Sequence, residues 1–418
     1  AERTIALAQL EKSRDPVRGF DPLLRDRMQA VLAPCRRNGV RIITNMGAAN
    51  PLAAADEVLA VARELGIGKL KVAVVLGDDV LTQVLSRNCV IMETGLPLSS
   101  LGSELISANA YLGSEAIVTA LETGADIVVT GRVADPALFL APLIHEFGWS
   151  MTDWPKMGQG TLVGHLLECS AQVTGGYFAD PGYRDVPDLA NLGFPLAEVA
   201  ADGQAVITKV AGSGGCVTTA TCAAQLLYEI EDPSRYLQAD VVADFSGVRL
   251  SQTGPDRVQV EGASGRPRPD NLKVTVGYRD GYIGEGQISY AGPGAQARGQ
   301  LALDVLRQRL QAQSLEGIES RYELIGVNAI FGPALAGECA NGLAGGEGQE
   351  PAEVRVRVAV RSCSKRDAER VANEVEAMYI NGPYGGGGAT RQVREVIAAA
   401  SVLLPRVLVP THVIVKEL

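Results

Sequence analysis

Short runs of apolar, β-branched residues alternate with longer helical patterns through the first part of the chain. Val40–Thr44 (V-R-I-I-T), Leu70–Leu76 (L-K-V-A-V-V-L) and Asp126–Thr130 (D-I-V-V-T) are brief and mostly apolar, as strands covered on both faces are. Between them, Pro51–Leu65 and Ser114–Thr123 carry apolar residues three and four positions apart, and Asn50 ahead of Pro51 combines an N-cap with proline in the first turn. Strands separated by helices predict an α/β fold, a mostly parallel sheet with flanking helices.

Farther along, Thr161–Thr174 reads as a helix, followed by an aromatic, Gly/Pro-rich connection at Tyr177–Tyr183. Residues 204–300 turn β-rich, with strands expected at Gln204–Val210, Asp240–Phe245, Lys273–Tyr278 and Tyr282–Ser289. From about Leu301 the pattern becomes helix Ala302–Gln311, strand Tyr322–Phe331, a Gly-rich loop at Gly337–Gly348, strand Val354–Val360 and helix Lys365–Tyr379, a smaller C-terminal α+β unit. A chain of 418 residues exceeds one hydrophobic core. The expected division is a core domain at 1–300 and a C-terminal domain at 301–418.

A net charge of -10 opposes a nucleic-acid footprint, which needs clustered Lys and Arg, and favours a small-molecule ligand. No apolar run approaches the roughly 20 residues that cross a bilayer, so no membrane partner is expected. The seven cysteines stand apart, without C-x-x-C pairs, which suits a reducing, cytoplasmic location. None of the three histidines pairs with another at H-x-x-x-H spacing, which leaves a carboxylate-held divalent ion as the metal option, with Asp79, Asp135 and Glu168 as candidates.

Polar motifs cluster just past the predicted strands, where α/β sheets bind ligands. They are T-N-M-G-A-A-N-P (Thr44–Pro51), G-D-D (Gly77–Asp79) and T-G-R-V-A-D-P (Thr130–Pro136). Arg132 offers a fork for a carboxylate or phosphate, with Asp135 to orient it and Thr130 alongside; a structural Arg–Asp pair is the plainer alternative. Asn45, at a Gly47 turn before a helix, suits a carbonyl or oxyanion as well as it suits turn chemistry. In G-H-L-L-E-C-S-A-Q-V-T-G-G (Gly164–Gly176), helical spacing puts His165, Glu168, Cys169 and Gln172 on one stripe. A His beside a carboxylate is a general-base arrangement; a polar face satisfying nearby loops is the alternative.

The loop G-S-G-G-C-V-T-T (Gly212–Thr219), with Lys209 at its entrance, resembles an anion nest built from the amides of Gly212, Gly214 and Gly215. It lacks both G-K-[ST] and G-x-G-x-x-G, so neither ATP nor NAD follows. Cys216 before the next helix is a nucleophile candidate, with a buried inert thiol the more ordinary role. The segment N-G-P-Y-G-G-G-G-A-T-R (Asn381–Arg391) suits a lid or interface as readily as a mobile connector.

Taken together, the first two strand-end loops, T-G-R-V-A-D, the His165 segment, Y-E-I-E-D-P-S-R-Y-L (Tyr228–Leu237) and N-G-P-Y-G-G-G-G are similar to the acyclic terpene utilisation family AtuA along nearly the whole chain. The resemblance implies an AtuA-type core, an appended ferredoxin-like unit, and a place in the breakdown of citronellol- and geraniol-type compounds through CoA thioesters. Members open with an earlier Gly-rich strand and turn, so an N-terminal segment is expected to be missing here.

Together with the resemblance, which brings in the acyl-CoA, the residues suggest an enzyme of lyase or hydratase type acting on a hydroxy-carboxylate or acyl-CoA. His165 and Glu168 would move protons, Arg132 would anchor the acid, Asn45 and the Gly212–Gly215 amides would steady oxyanion charge, and Gln172 and Lys209 would help bind. A homo-oligomer is expected. The competing class is a non-catalytic acyl-CoA-binding or accessory subunit of a carboxylase-like complex.

Overall fold

A computed structural model describes residues 2–102, 104–315, 317, 319–332 and 350–418. The chain forms two compact units, Ala1–Gly277 with Ala399–Leu418, and Tyr278–Ala398. The predicted loop at Gly337–Gly348 lies outside the described residues.

In the first unit a sheet runs in the order Ile42–Thr44, Ile127–Thr130, Lys71–Leu76, His412–Glu417. The first three strands are parallel, with Ile42 and Val72 both in register with Ile127, and the last pairs antiparallel, His412 opposite Leu76. Alternate residues Val72, Val74, Ile127 and Val129 share one core with Leu24, Met28 and Leu32 of helix Leu24–Arg37 and with Val58 and Leu59 of helix Pro51–Glu64. Spacings of two along a strand and four along a helix bring these side chains to one face, and each contributes about 1.5–3 kcal/mol on burial.

The sheets are mixed and antiparallel, not mostly parallel as the sequence pattern predicts. Pro195–Val199 pairs antiparallel with Ala205–Lys209, Arg249–Gly254 with Arg257–Glu261, and Val242–Asp244 with Ser264–Arg266. The first two pairs are joined by tight turns, which return the chain antiparallel, whereas parallel neighbours need a crossover of a dozen or more residues. In the second unit, the described elements follow the order strand, helix Ala295–Ala312, strand Glu319–Ile325, strand Glu353–Ser362, helix Lys365–Glu376, short helix Met378–Asn381, strand. Its sheet runs Glu319–Ile325, Glu353–Ser362, Asn271–Ala291, Gly387–Pro405.

Helix Trp154–Glu168 is buried on every side from Met157 to Leu166, packed against Ala205, Ile207, Val258 and Val260. It begins at an Asp153 cap that accepts from the Lys156 N–H, with Pro155 in the first turn. It ends before the expected Thr174 because Ser170 adopts a left-handed φ of 52°.

Asn50 caps Pro51–Glu64 and also donates through Nδ2 to the carbonyls of Pro16 (2.8 Å) and Arg18 (2.6 Å). Asn50→Ala is expected to lower stability by about 2 kcal/mol in urea unfolding, since a cap and two buried carbonyl partners are lost together. A loss below about 0.5 kcal/mol would show that these bonds are replaced by water.

Candidate functional site

The three parallel strands deliver Asn45, Asp78 and Arg132 at their carboxyl ends. A cleft of about 810 Å³ opens there, lined by Asn45, Gly131 and Arg132 and by an apolar wall that includes Ile5, Leu7, Val17 and Phe20. Arg132 is only 4% exposed, so it belongs to the buried end of this cleft. Its Nη2 donates to Asp135 Oδ2 at 2.8 Å, while Nε is buried without an acceptor. One bond uses one of five guanidinium donors, so the pair alone does not satisfy the fork.

The Arg132 backbone is held by Asp78, whose Oδ2 accepts from the Arg132 N–H at 2.8 Å and from Asn109 Nδ2 at 2.9 Å. Burial pushes this carboxyl up to about 6, against the pull of those two hydrogen bonds. Gly131 has no room for a Cβ, because the Asp78 carboxylate lies 2.5–2.7 Å from that position. The guanidinium stands 4.2 Å over the Tyr111 ring.

On the other side of the same turn, Gly164 packs helix Trp154–Glu168 directly on Pro136, where a Cβ would come within 2.7 Å of the Pro136 carbonyl oxygen. The next residue, His165, is 1% exposed. Its Nδ1 lies 2.9 Å from Glu168 Oε1, and its Nε2 is buried with no partner, as is Glu168 Oε2. The Tyr236 ring meets the imidazole edge-on at 5.4 Å, Phe245 packs beside it, and Gln225 donates to the His165 carbonyl. Burial raises the Glu168 carboxyl above its usual range, His165 draws it back, and the charges of Asp135 and Glu229 raise it further. The Arg132 loop and the His165 helix therefore meet through Asp135 and Pro136.

Other nominated residues stand elsewhere. Gln172 sits in a 3-10 turn past the end of the helix, so it does not continue the His165–Glu168 row. Thr130 is fully buried, its hydroxyl donating to the Gly131 carbonyl at 3.0 Å. The Gly214 and Gly215 amides donate to the Asn191 and Pro187 carbonyls at 2.8 Å each, and Lys209 Nζ donates to the Ser213 carbonyl at 2.7 Å. Two of the three nest amides, Gly214 and Gly215, and Lys209 are thus already in use, and the loop lines no part of the cleft. Burial raises the Cys216 thiol, with Asp256 adding to the shift, opposite to what a helix-start thiolate requires. Asp79 is exposed and bonds the Leu81 N–H. Among the described residues, no three His, Cys, Asp or Glu side chains gather as a metal-ligating group, so Asp79, Asp135 and Glu168 do not form one. No helix among them is long and apolar enough to cross a membrane.

Four residues of the site escaped the sequence pattern: Asp78, Asn109, Tyr111 and Tyr236. G-D-D pointed to the right turn, and the motif Tyr228–Leu237 already contained Tyr236. Strand Leu105–Ala110 (L-I-S-A-N-A), which delivers Asn109, has too few large apolar residues to register as a strand.

No curated protein and no solved structure matches the chain. The family model described as acyclic terpene utilisation family protein AtuA matches residues 1–415, the span that supplies the cleft, the Arg132 turn and the His165 helix alike. With essentially its full length covered, this chain belongs to the acyclic terpene utilisation family AtuA.

Proposed function

We propose that the chain is an enzyme of lyase or hydratase type acting on a branched acyclic carboxylate or its acyl-CoA thioester. The observation that carries this is His165, a buried imidazole whose Nδ1 is fixed by Glu168 and whose Nε2 has no partner. A carboxylate that holds Nδ1–H selects the tautomer with a free lone pair on Nε2, the form a general base needs. Glu168 also stabilises the imidazolium once the proton has been taken. Proton removal beside a carbonyl, followed by loss or addition of water, uses such a base.

The cleft supports the choice of substrate. Its apolar wall suits a branched hydrocarbon chain, and Arg132 at the buried end suits the acid group. Asn45 lines the same cleft, and its amide suits a carbonyl oxygen. The second reading, a non-catalytic acyl-CoA-binding or accessory subunit, is favoured by one observation, that His165 is not among the residues lining the cleft.

A panel of branched acyclic carboxylates and acyl-CoA thioesters separates the two. Arg132→Gln is expected to weaken binding at least about tenfold, as loss of a charge-assisted bond does. His165→Asn is expected to leave binding intact and to lower turnover roughly a hundredfold. Turnover that survives His165→Asn, or a chain that binds tightly and converts nothing in the panel, would transfer the protein to the accessory class.

A further inference from the structure

Arg132 is held twice, and the two holds come from one stretch of chain, the end of a strand and the residue just past it. Asn109 and Tyr111 are two residues apart at the end of Leu105–Ala110, the spacing that puts side chains on the same side of an extended chain. Asn109 donates to the Asp78 carboxylate that fixes the Arg132 N–H. Tyr111 lies under the Arg132 guanidinium at 4.2 Å, and Lys273 approaches the same ring at 5.1 Å. Tyr111 is itself anchored, its N–H donating to the Lys273 carbonyl at 2.9 Å and its hydroxyl accepting from Thr275 at 3.3 Å. The ring is therefore a fixed plate against which the guanidinium lies.

We infer that Tyr111 is a positioning residue for Arg132, covering the face of the guanidinium so that its edge is presented to an acid group in the cleft. This rests on the reading of Arg132 as the acid anchor. A cation over an aromatic face keeps its in-plane N–H donors for other partners, and those are the donors that grip a carboxylate. Asp135 takes one of them, and the unpartnered Nε is another. Asp78 acts at one remove, by fixing the backbone from which the side chain starts.

The test uses the full chain, isothermal titration calorimetry at neutral pH, and two probes that differ only at the head group: geranate, a branched acyclic carboxylate, and geraniol, the corresponding alcohol. The wild type is expected to prefer geranate. Arg132→Gln should remove the preference. Tyr111→Leu should reduce it about fivefold, the size of a partly desolvated cation–π contact, with affinity for geraniol kept. Tyr111→Phe, which restores the ring without the hydroxyl, should recover the preference. A ring that merely filled space would instead lower the melting temperature of Tyr111→Leu and shift both probes equally.

The failures are distinguishable. If Arg132→Gln removes the preference and Tyr111→Leu does not, the positioning role is wrong and the anchor stands. If the wild type binds both probes alike, or Arg132→Gln changes nothing, both the anchor and its positioning are overturned.

Discussion

Asp78→Asn is expected to gain about 3 kcal/mol over the wild type as the pH is raised from about 3 to about 7. The carboxyl sits near 6 in the folded protein because burial disfavours its charge, whereas an unfolded Asp titrates near about 3.9. Below both values the group is protonated in either state and costs nothing. Between them the unfolded chain ionises while the folded one keeps its proton, so stability falls as pH rises; above about 6 the loss is complete. Two units at about 1.36 kcal/mol each give the stated size. Asparagine suits the comparison because both side-chain bonds fall on one oxygen, Oδ2, so a carbonyl oxygen placed there keeps Arg132 N–H and Asn109 Nδ2 satisfied. Urea unfolding of both proteins at the two pH values measures the difference. A gap between them that does not change with pH would remove the assignment of a raised Asp78.

Gly158→Ala should destabilise the first unit by about 3 kcal/mol or more. Helix propensity alone argues for a gain, since alanine in a helix interior is favoured over glycine by about 1 kcal/mol. Packing decides otherwise. A methyl at Gly158 would collide with the carbonyl of Ser264, in the strand Ser264–Arg266 laid along the helix, and the obstacle is backbone rather than the end of a flexible side chain. Gly164 likewise faces the Pro136 backbone, while Gly160 meets the side-chain end of Leu140, so three glycines let this helix approach its neighbours closely. Thermal unfolding of Gly158→Ala compared with an alanine variant at the open, helix-free Gly68 checks it: a melting temperature equal to the wild type's would mean that the strand yields without cost.

The parts of the fold that local pattern encodes were legible. Three short β-branched runs became the parallel strands, within a residue or two, and Asn50-Pro51 opened a helix as cap and proline require. What the pattern could not carry was pairing. His412–Glu417 joins the sheet from the other end of the chain, and nothing near it in sequence announces Lys71–Leu76 as its neighbour. The two expected strands Lys273–Tyr278 and Tyr282–Ser289 are one, Asn271–Ala291, which runs through Arg279–Gly281 without a turn-back and pairs with Glu353–Ser362 from Tyr282 onward.

The site divides along the same line. Arg132 and Asp135 could be placed from a strand end, and His165 with Glu168 from helical spacing, since both are short-range facts. Choosing Asp78 over Asp79 depends on which carboxylate turns inward toward Asn109, a residue from another strand. Gly214 and Gly215 looked like an open nest because composition does not show that Asn191 and Pro187 already supply acceptors.

That His412–Glu417 covers one side of Lys71–Leu76 has a consequence in time. A ribosome releases Lys71–Leu76 long before its partner strand is made. Until then the strand has one neighbour, Ile127–Thr130, and a row of unpaired amides on its other side. Such an edge is an invitation to pair with another chain, and long-range closure is slow to withdraw it. The nascent protein thus passes through a stage in which the elements that carry Asn45, Asp78 and Arg132 have been made while one side of Lys71–Leu76 still waits for His412–Glu417, and shielding that side in the interval is a demand that the order of the strands places on folding.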